Sequence, residues 1–476
     1  MLKGTTKIEL TDVNTGETQV IEKHNLITGA IHSLYQPTLG HATSGSTLRG
    51  LDVNTLFGGL LLFNNPLPED ANQWFAPAGT DATGHGVQGL QNTTAGVRLG
   101  SYNSAESSYN SDTKTAKFVY DFSTNQGNGT ISSVCLSHKL AGYGGYGTDR
   151  VYGSSWSTVM MNSMYSGTKR FTDYTDKLDT SSNLTYSKEY LFLIDAENDL
   201  AYYFVITGGT TVKIRKYHAM LRSYSVFTTD TSTSTLVLVG ESTEVTIPTS
   251  IPSGTWSYNY DSADNAVYIR AGGTVANNGS FTLTKFTCED TPVVTQYTIT
   301  NTSGVTVGNT SNRNTFVHNG YVCIVGNASP YNVYKINIAD SEVTTITNPT
   351  STSGYIPVIA ISGVIYYQRP GETTGMATYV VDTESNTMKG CGISNLDYAS
   401  QKGTGSYYSY YSPVYTIIKN NPMLYYLSYA GNSSATANAL GFKYFTNYLA
   451  TINNISPAIT KVNTQTMKIT YTLQEV

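Results

Sequence analysis

Two clusters of aromatic residues are the part of this sequence best suited to binding chemistry. Both segments, GYGGYGTDRVYGSSW and GSYYSYYSPVY, are rich in Gly and Ser, which favours exposure of the rings. Exposed Tyr and Trp stack on sugar faces while their polar ends form hydrogen bonds. The alternative is that the rings pack between domains or subunits. The predicted surface or ligand-binding residues are Tyr143, Tyr146, Tyr152, Trp156, Tyr407, Tyr408, Tyr410 and Tyr411.

Motifs for cofactor or metal binding lack the surroundings they need. Gly142–Gly147 satisfies GxGxxG, but no βαβ unit surrounds it, so no dinucleotide site is predicted. The histidines nearest in sequence have no metal-ligand spacing, and His85 stands alone in GHG. Those three histidines are His24, His32 and His41. We therefore expect no metal and no cofactor.

The cysteines are dispersed singly, without CxxC or Cys/His pairing. This spacing predicts buried thiols and neither a zinc site nor a disulfide framework. The four residues are Cys135, Cys288, Cys323 and Cys391.

Acidic segments raise two further possibilities, calcium binding and glycan hydrolysis. DAEND at 195–199 and DSADN at 261–265 each lie between two apolar strands, which predicts hairpin turns rather than calcium loops. A glycosidase needs a carboxylate pair, and none can be selected from 33 scattered acids. A sialidase-type repeat is represented only by the fragment Gly254-Thr255-Trp256. We predict that the chain is not an enzyme and has no catalytic residue.

The elements that must position these residues begin with the two chain ends. Ile8 and Leu10 alternate with polar residues before a turn at 14–16, which predicts a hairpin. Ile469 and Tyr471 belong to an equally regular alternation near the other end. Both strands need a partner, so we predict that the chain ends pair in one sheet. Between them, Ile27, Ala30, Ile31 and Leu34 have helical spacing.

The segment from 187 to 430 repeats one theme: an apolar strand, a tight turn, a second apolar strand and an outer strand. Copies begin at 190, 256, 315, 355 and 413. This period predicts a β-propeller-like domain of about five blades, with a sixth if 171–184 contributes, and a large sandwich of hairpins as the alternative. Residues 38–175 contain the strand candidates AKFVYDF and TISSVCLSH joined by long loops, which favours a jelly-roll-like sandwich.

Composition limits the class of protein. The chain has 476 residues, 38 of them Tyr, and only 13% are charged, where about a quarter is usual. The net charge is −5 and no Lys/Arg run occurs, which argues against nucleic acid as a partner. The longest apolar run, at 56–63, is too short to cross a bilayer, so membrane insertion is not expected. The first residues lack the apolar core of a secretory signal.

Four separated stretches of the chain carry a resemblance to a known family: LFGGLLLFNNPLPE (56–69), GVRLGSYNSAESSYN (96–110), VYDFSTNQGNGTISSVCLSH (119–138) and YLATINNISPAITKVNTQTMKITYTL (448–473). They resemble structural proteins of the tail modules of Firmicutes phages and prophages. The middle of the chain departs from that frame. The resemblance implies assembly on a phage particle at the tail tip or baseplate, with the middle part directed toward the host envelope.

These observations give one combined expectation. The fold is all-β, with a discontinuous β-sandwich or jelly-roll-like docking domain at 1–178 plus 446–476 and a propeller-like domain at 179–445. The function is that of a phage tail or baseplate protein (tail fibre type) that binds other virion proteins, forms homo-oligomers and recognises a host-surface glycan. It is assembled in the host cytoplasm and carried on the virion. The alternatives are a tail-associated polysaccharide depolymerase and a purely architectural collar or capsid decoration protein.

Overall fold

The computed structural model describes residues 2–31, 53–77, 80–92, 96–139, 161–163, 183–184, 186–187, 189–195, 197–218, 237–308, 315–350, 356–361, 364–368, 378–390, 416–419, 426–430, 439–445 and 448–476. Within these ranges the structure is nearly all β, and helix is confined to 29–31 and α1 (Val53–Leu56). None of the helical residues there forms a segment long and apolar enough to cross a membrane.

One six-stranded sheet joins the two ends of the chain. It contains β1 (Leu2–Asp12), β2 (Thr18–His24), β6 (Ser101–Tyr102), β7 (Ser108–Asn110), β8 (Thr115–Phe122) and β33 (Gln465–Glu475). β1 pairs antiparallel with β33 from Leu2 to Asp12, with Ile8 opposite Ile469. The predicted pairing of the chain ends is confirmed, and so is the β1–β2 hairpin.

A five-stranded sheet packs against the first. It contains β3 (Leu26–Ile27), β4 (Gly59–Phe63), β5 (Ala82–Val87), β9 (Gly129–Ser137) and β32 (Thr451–Lys461). The two sheets approach closely where the buried ring of Tyr120 lies against Gly86, since a Cβ on that glycine would be 2.5 Å from the ring. The Tyr471 hydroxyl also lies 2.6 Å from Thr451 Oγ1 across the layers. The two strand candidates of this region, AKFVYDF and TISSVCLSH, are confirmed as β8 and β9.

The predicted helix is wrong at its first residue. Ile27 lies in strand β3, because its backbone pairs with Thr451 of β32. Ala30 and Ile31 are helical and buried, and Leu34 lies outside the described residues. Pairing with a neighbouring strand overrides the local helical spacing here.

The described strands from 161 to 445 form four further sheets. The largest contains β10 (Met161–Ser163), β12 (Glu189–Asp195), β13 (Leu200–Thr207), β14 (Thr211–His218), β15 (Leu238–Glu241), β16 (Val245–Thr246), β29 (Thr416–Ile418), β30 (Tyr426–Ala430) and β31 (Ala439–Phe445). The next contains β11 (Asn183–Leu184), β17 (Gly254–Asp261), β18 (Ala266–Ala271), β19 (Ser280–Thr287) and β20 (Val294–Thr300).

The two remaining sheets have four strands each. One contains β21 (Thr315–His318), β22 (Tyr321–Val325), β23 (Val333–Asn337) and β24 (Val343–Ile346). The other contains β25 (Ile356–Ile361), β26 (Val364–Gln368), β27 (Thr378–Asp382) and β28 (Thr387–Gly390).

Apolar clusters join these sheets in chain order. Tyr190 and Phe204 of the first sheet pack against Trp256 of the second. Equivalent clusters join the second sheet to the third and the third to the fourth. Each intermediate sheet is thus buried on both faces, which explains why its strands are apolar runs.

The largest sheet combines strands from both ends of this middle region. β12 pairs parallel with β29, and β10 pairs antiparallel with β31. β10 lies N-terminal to the predicted domain boundary at residue 178, but it pairs with β31, which lies in the predicted propeller-like domain. β11, within the predicted optional sixth unit, is an edge strand on β17.

Candidate functional site

The eight predicted aromatic site residues lie outside the described residues. Tyr143, Tyr146, Tyr152 and Trp156 precede β10 in the chain, and Tyr407, Tyr408, Tyr410 and Tyr411 precede β29. Their role in ligand binding stays a prediction.

Among the described residues, hydrogen-bonded polar side chains lie at or near the ends of β12 and β17, which belong to the two largest sheets of the middle region. Asp195 ends β12, and Lys419 follows β29, the neighbouring parallel strand. The Lys419 Nζ donates to Asp195 Oδ2 at 2.8 Å, and the Lys419 backbone N–H donates to the Ile194 carbonyl at 2.8 Å. Asn198 donates to the same carboxylate from its backbone and side chain. This contact clamps the two halves of the largest sheet together.

A second clamp joins β17 to β21. Asn259 Nδ2 donates to the Val317 carbonyl at 2.7 Å, and its Oδ1 accepts the Val317 N–H at 2.8 Å. One amide side chain therefore replaces both backbone bonds that a paired strand would supply. Asp261, with a side chain only 1% exposed, accepts the Asn319 N–H at 2.8 Å and lies 3.2 Å from His318 Nδ1.

The DAEND and DSADN segments are hairpin turns, as predicted. Asp195 pairs with Leu200 and Asp261 with Ala266, so each hairpin has a four-residue loop. Asp199, at the end of the first loop, has φ of 55°, in the left-handed region that Asp tolerates. The Asp261 carboxylate also caps its own turn by accepting the Ala263 N–H.

The carboxylates of Asp195 and Asp264 act as hydrogen-bond acceptors and not as proton donors. Burial raises the pKa of Asp195, but hydrogen bonds from Lys419 and Asn198 outweigh it and hold that pKa below its ordinary value. In Asp264, likewise, burial opposes the bonds from Tyr268 and Lys285, and the pKa is lowered. A general acid in glycoside cleavage needs the opposite, a raised pKa. This arrangement suits positioning of strands and loops.

A groove of about 480 Å³ crosses the outer face of the six-stranded sheet. Its walls include Glu9, Asp121 and Lys468 from three neighbouring strands. Lys468 and Glu106 form an ion pair at 2.5 Å beside it.

The described histidines and cysteines do not form a metal centre. No group of three His, Cys, Asp or Glu with suitable geometry occurs among the described residues. His24 lies on an exposed strand and His85 in β5, whereas His32 and His41 are outside the described residues.

The thiols are buried to different degrees. Cys135 and Cys323 are buried and free, and burial raises the pKa of each to about 12. Cys288 is also free; the residue as a whole is partly exposed, but its side chain packs against the apolar cluster that contains Phe286 and burial raises the pKa of its thiol, as predicted for a buried thiol. Cys391 lies outside the described residues.

The clamp formed by Asn259 was not predicted from the sequence. Its signal was present in WSYNYD, where Trp256, Tyr258 and Tyr260 face one neighbouring sheet. From the sequence, the alternating polar residues of this segment indicate only one strand of a repeat. They face the next sheet along the chain and are buried there.

Comparison with known proteins identifies no family. No family model and no curated protein matches the sequence. Solved structures that match include a candidate 6-phosphogluconolactonase from Bacteroides fragilis, with 11% identity, a TM-score of 0.26 and coverage of 87% of this chain and 97% of that one. Trypanosoma rangeli sialidase has 11% identity and a TM-score of 0.24, covering 70% and 53%. A puromycin-hydrolysing peptidase of Mycobacterium tuberculosis has 11% identity and a TM-score of 0.23, covering 91% and 58%. Similarities this weak carry no argument about function.

Proposed function

We propose that this chain is a non-enzymatic structural protein of a phage tail or baseplate. Its β-sandwich-like terminal domain docks on other virion proteins, and its middle part is presented for recognition of a host-surface glycan. The observation that carries the proposal is the pairing of β1 with β33, which brings both chain ends into one sheet. The described strands from β10 to β31, which lie between β9 and β32 in the chain, are then proposed to form a display unit inserted into that domain.

The middle part is proposed to be a five-bladed β-propeller. Three sheets after β12–β15 follow one another as antiparallel meanders, with apolar clusters between the first four units in chain order. β29, β30 and β31 supply three strands of a fifth unit, and β10 supplies its outer strand. In this proposal an outer strand taken from the start of the segment closes the ring by covering the edge of β31, so that the short strand β10 forms the outer edge of the fifth unit.

The closure proposal is tested with two fragments. A fragment of residues 158–447 retains β10, whereas one of residues 180–447 leaves the edge of β31 without it. We expect the longer fragment to be monodisperse and cooperatively folded and the shorter one to self-associate, because an unpaired edge recruits other strands. Equal solubility and equal melting temperatures would contradict closure by β10.

Glycan recognition is preferred over hydrolysis because of the carboxylate chemistry. Among described acids whose pKa is displaced by their surroundings, every displacement is downward. These acids are Asp12, Glu106, Asp195, Glu241, Asp264 and Asp290. Incubation of the purified chain with host wall glycan should retain the protein on the glycan without releasing reducing ends. Released reducing ends would instead establish the depolymerase alternative.

The virion assignment is tested on particles. Antibody raised against the purified chain should label the tail or baseplate of phage particles from the strain that encodes it, as seen by electron microscopy. Labelling of a collar or capsid, with normal adsorption of particles lacking the protein, would support the architectural alternative. Particles without any label would defeat the virion proposal.

A further inference from the structure

The strand β2 forms one edge of the six-stranded sheet and has no neighbouring strand on its outer side among the described residues. It pairs with β1 alone, without a bulge, from Thr18 opposite Thr11 to His24 opposite Thr5. Six of its seven residues are exposed, including Val20 at 50%. The opposite edge of the sheet consists of the short strands β6 and β7. β2 is therefore the longer accessible edge of this sheet.

The hydrogen bonds at both ends of the β1–β2 hairpin show which backbone groups of β2 are unused. The Asp12 N–H donates to the Glu17 carbonyl at 2.9 Å, and the Asn25 N–H donates to the Gly4 carbonyl at 3.0 Å. Hydrogen-bonded pairs alternate along an antiparallel ladder, so the odd-numbered residues of this segment bond to β1. The even-numbered residues of β2 therefore direct their N–H and C=O groups away from β1. Such a row of free groups is a template for pairing with another strand.

Two exposed charges flank this row. Glu17 directly precedes β2, and Lys23 lies near its end. Within the described part of the chain neither side chain forms an ion pair or a hydrogen bond, whereas Lys7 and Glu9 on the neighbouring strand are paired at 2.9 Å. Both positions are odd, so the two side chains lie on the same face of the sheet. Glu17 and Lys23 are thus a free acid and a free base at opposite ends of one strand.

The edge is self-complementary in one register of antiparallel two-fold pairing. When two β2 strands are centred on Val20, each Val20 faces its counterpart, and Glu17 of each copy faces Lys23 of the other. Thr18 then faces Glu22, so the outward groups of even-numbered residues meet as hydrogen-bonded pairs. Glu17 and Lys23 meet at non-hydrogen-bonded positions, where opposite side chains lie closest.

The adjacent registers lack this match. Centring on Ile21 would place Val20 against Glu22. Centring on Glu22 would place two like charges opposite each other, which is destabilising. The charge pattern therefore favours a second copy of this chain as the occupant, in the register centred on Val20.

We infer that β2 is a dimerisation edge, at which two copies of this chain pair antiparallel about Val20 and join their six-stranded sheets into one. The two Glu17–Lys23 contacts set the register, and the two Val20 side chains shield each other from water. Seven-residue strands bury less surface than the roughly 1,600 Å² of a standard interface, so the dimer should be weak and concentration-dependent. The inference concerns the purified chain and does not depend on a virion role. Its failure would leave the particle-labelling result untouched.

The test is sedimentation equilibrium of the full-length chain over a range of concentrations at low ionic strength. We expect a monomer–dimer equilibrium. Glu17→Lys and Lys23→Glu should each weaken dimerisation roughly tenfold, because each creates two like-charged pairs across the interface. The double variant Glu17→Lys/Lys23→Glu should restore it. The matched control is Glu22→Lys, the same reversal on the same strand but opposite Thr18, which should change the affinity less than about threefold.

Val20→Pro tests the backbone pairing separately. Proline removes an N–H that points away from β1, so it should abolish the dimer while leaving the bonds between β1 and β2 intact. The charge variants decide the matter if this variant does not fold, since their side chains are exposed. A chain that stays monomeric at every concentration, a dimer unaffected by Val20→Pro, or a double charge variant that associates no better than the single variants would overturn the proposal.

Discussion

Replacement of Asn259 by Leu tests whether one side chain holds β17 to β21. The substitution keeps the branched shape of the side chain but removes both bonds to Val317, a residue that is 1% exposed. A buried backbone group left without a partner costs about 1–3 kcal/mol. Two such groups, partly offset by the apolar side chain, give an expected loss of about 2–5 kcal/mol in the free energy of unfolding. This is a large part of the 5–15 kcal/mol typical of a folded domain.

The assay is denaturant unfolding followed by tryptophan fluorescence, since the buried Trp256 lies on the same strand as Asn259. Hydrogen exchange supplies an independent measurement. The Val317 amide loses its acceptor, and about 2 kcal/mol of lost protection corresponds to roughly 30-fold faster exchange. The control is Asn14→Leu at an exposed turn, which we expect to change stability by no more than about 0.5 kcal/mol.

An Asn259→Leu variant whose free energy of unfolding stays within about 0.5 kcal/mol of the wild type, and whose Val317 amide exchanges at the original rate, would refute a clamp between β17 and β21. Faster exchange without a change in global stability would show that the bonds act only locally. In that case the clamp would not join the sheets energetically.

Three further predictions follow from the packing and the buried charges. Gly86→Ala should destabilise the terminal sheets by about 1–3 kcal/mol because its Cβ meets an aromatic ring at 2.5 Å, while Gly240→Ala, with nothing within 4 Å, should be near neutral in thermal unfolding. Burial lowers the pKa of His138 to about 3 from 6.5, so only the unfolded chain takes up this proton between those values. Stability is therefore complete above pH 6.5 and should fall by about 2 kcal/mol at pH 5 in denaturant unfolding, and His138→Phe should remove that part. Lys419→Met should cost about 1 kcal/mol at neutral pH, because Lys419 is partly exposed, and its effect should fade as acid protonates Asp195.

Each of these has a distinct contradicting result. Equal melting temperatures for the two glycine variants would mean that the layers have room to separate. An unchanged pH profile in His138→Phe would assign acid sensitivity to other groups. The Asp195 pKa is lowered, so its ion pair stabilises above the ordinary carboxyl pKa and is lost as pH falls through the folded value. A Lys419→Met effect that persists in strong acid would contradict this sign.

The pairing of the two terminal strands was predictable because each strand has one apolar face that must be buried. Ile8 and Leu10 alternate with polar residues on one strand, as Ile469 and Tyr471 do on the other, and each strand must hide one face. The strand position of Ile27 was not predictable, because helical spacing over a few residues cannot show that β32 offers a partner.

The Asn259 clamp and the hydrogen bond from the buried Arg270 to Thr315 were not predictable, since both depend on contacts between sheets. Asn259 and Val317 are 58 residues apart, and Arg270 and Thr315 are 45 apart. The local spacing does not show whether a polar residue in an alternating strand faces a second sheet or water. The aromatic face of β17 was visible in the sequence, whereas the burial of its polar face was not.

The strand β17 shows why a chain with so few charges can still specify the order of its sheets. Its aromatic face packs on the preceding sheet, an interaction that many apolar surfaces would satisfy. Its other face presents Asn259 and Asp261, whose bonds to Val317 and Asn319 need one particular register of β21. A shift of β21 by one residue would exchange its outward donors and acceptors and leave buried groups unpaired. The apolar face therefore drives association, and the amide and carboxylate on the opposite face select the neighbour.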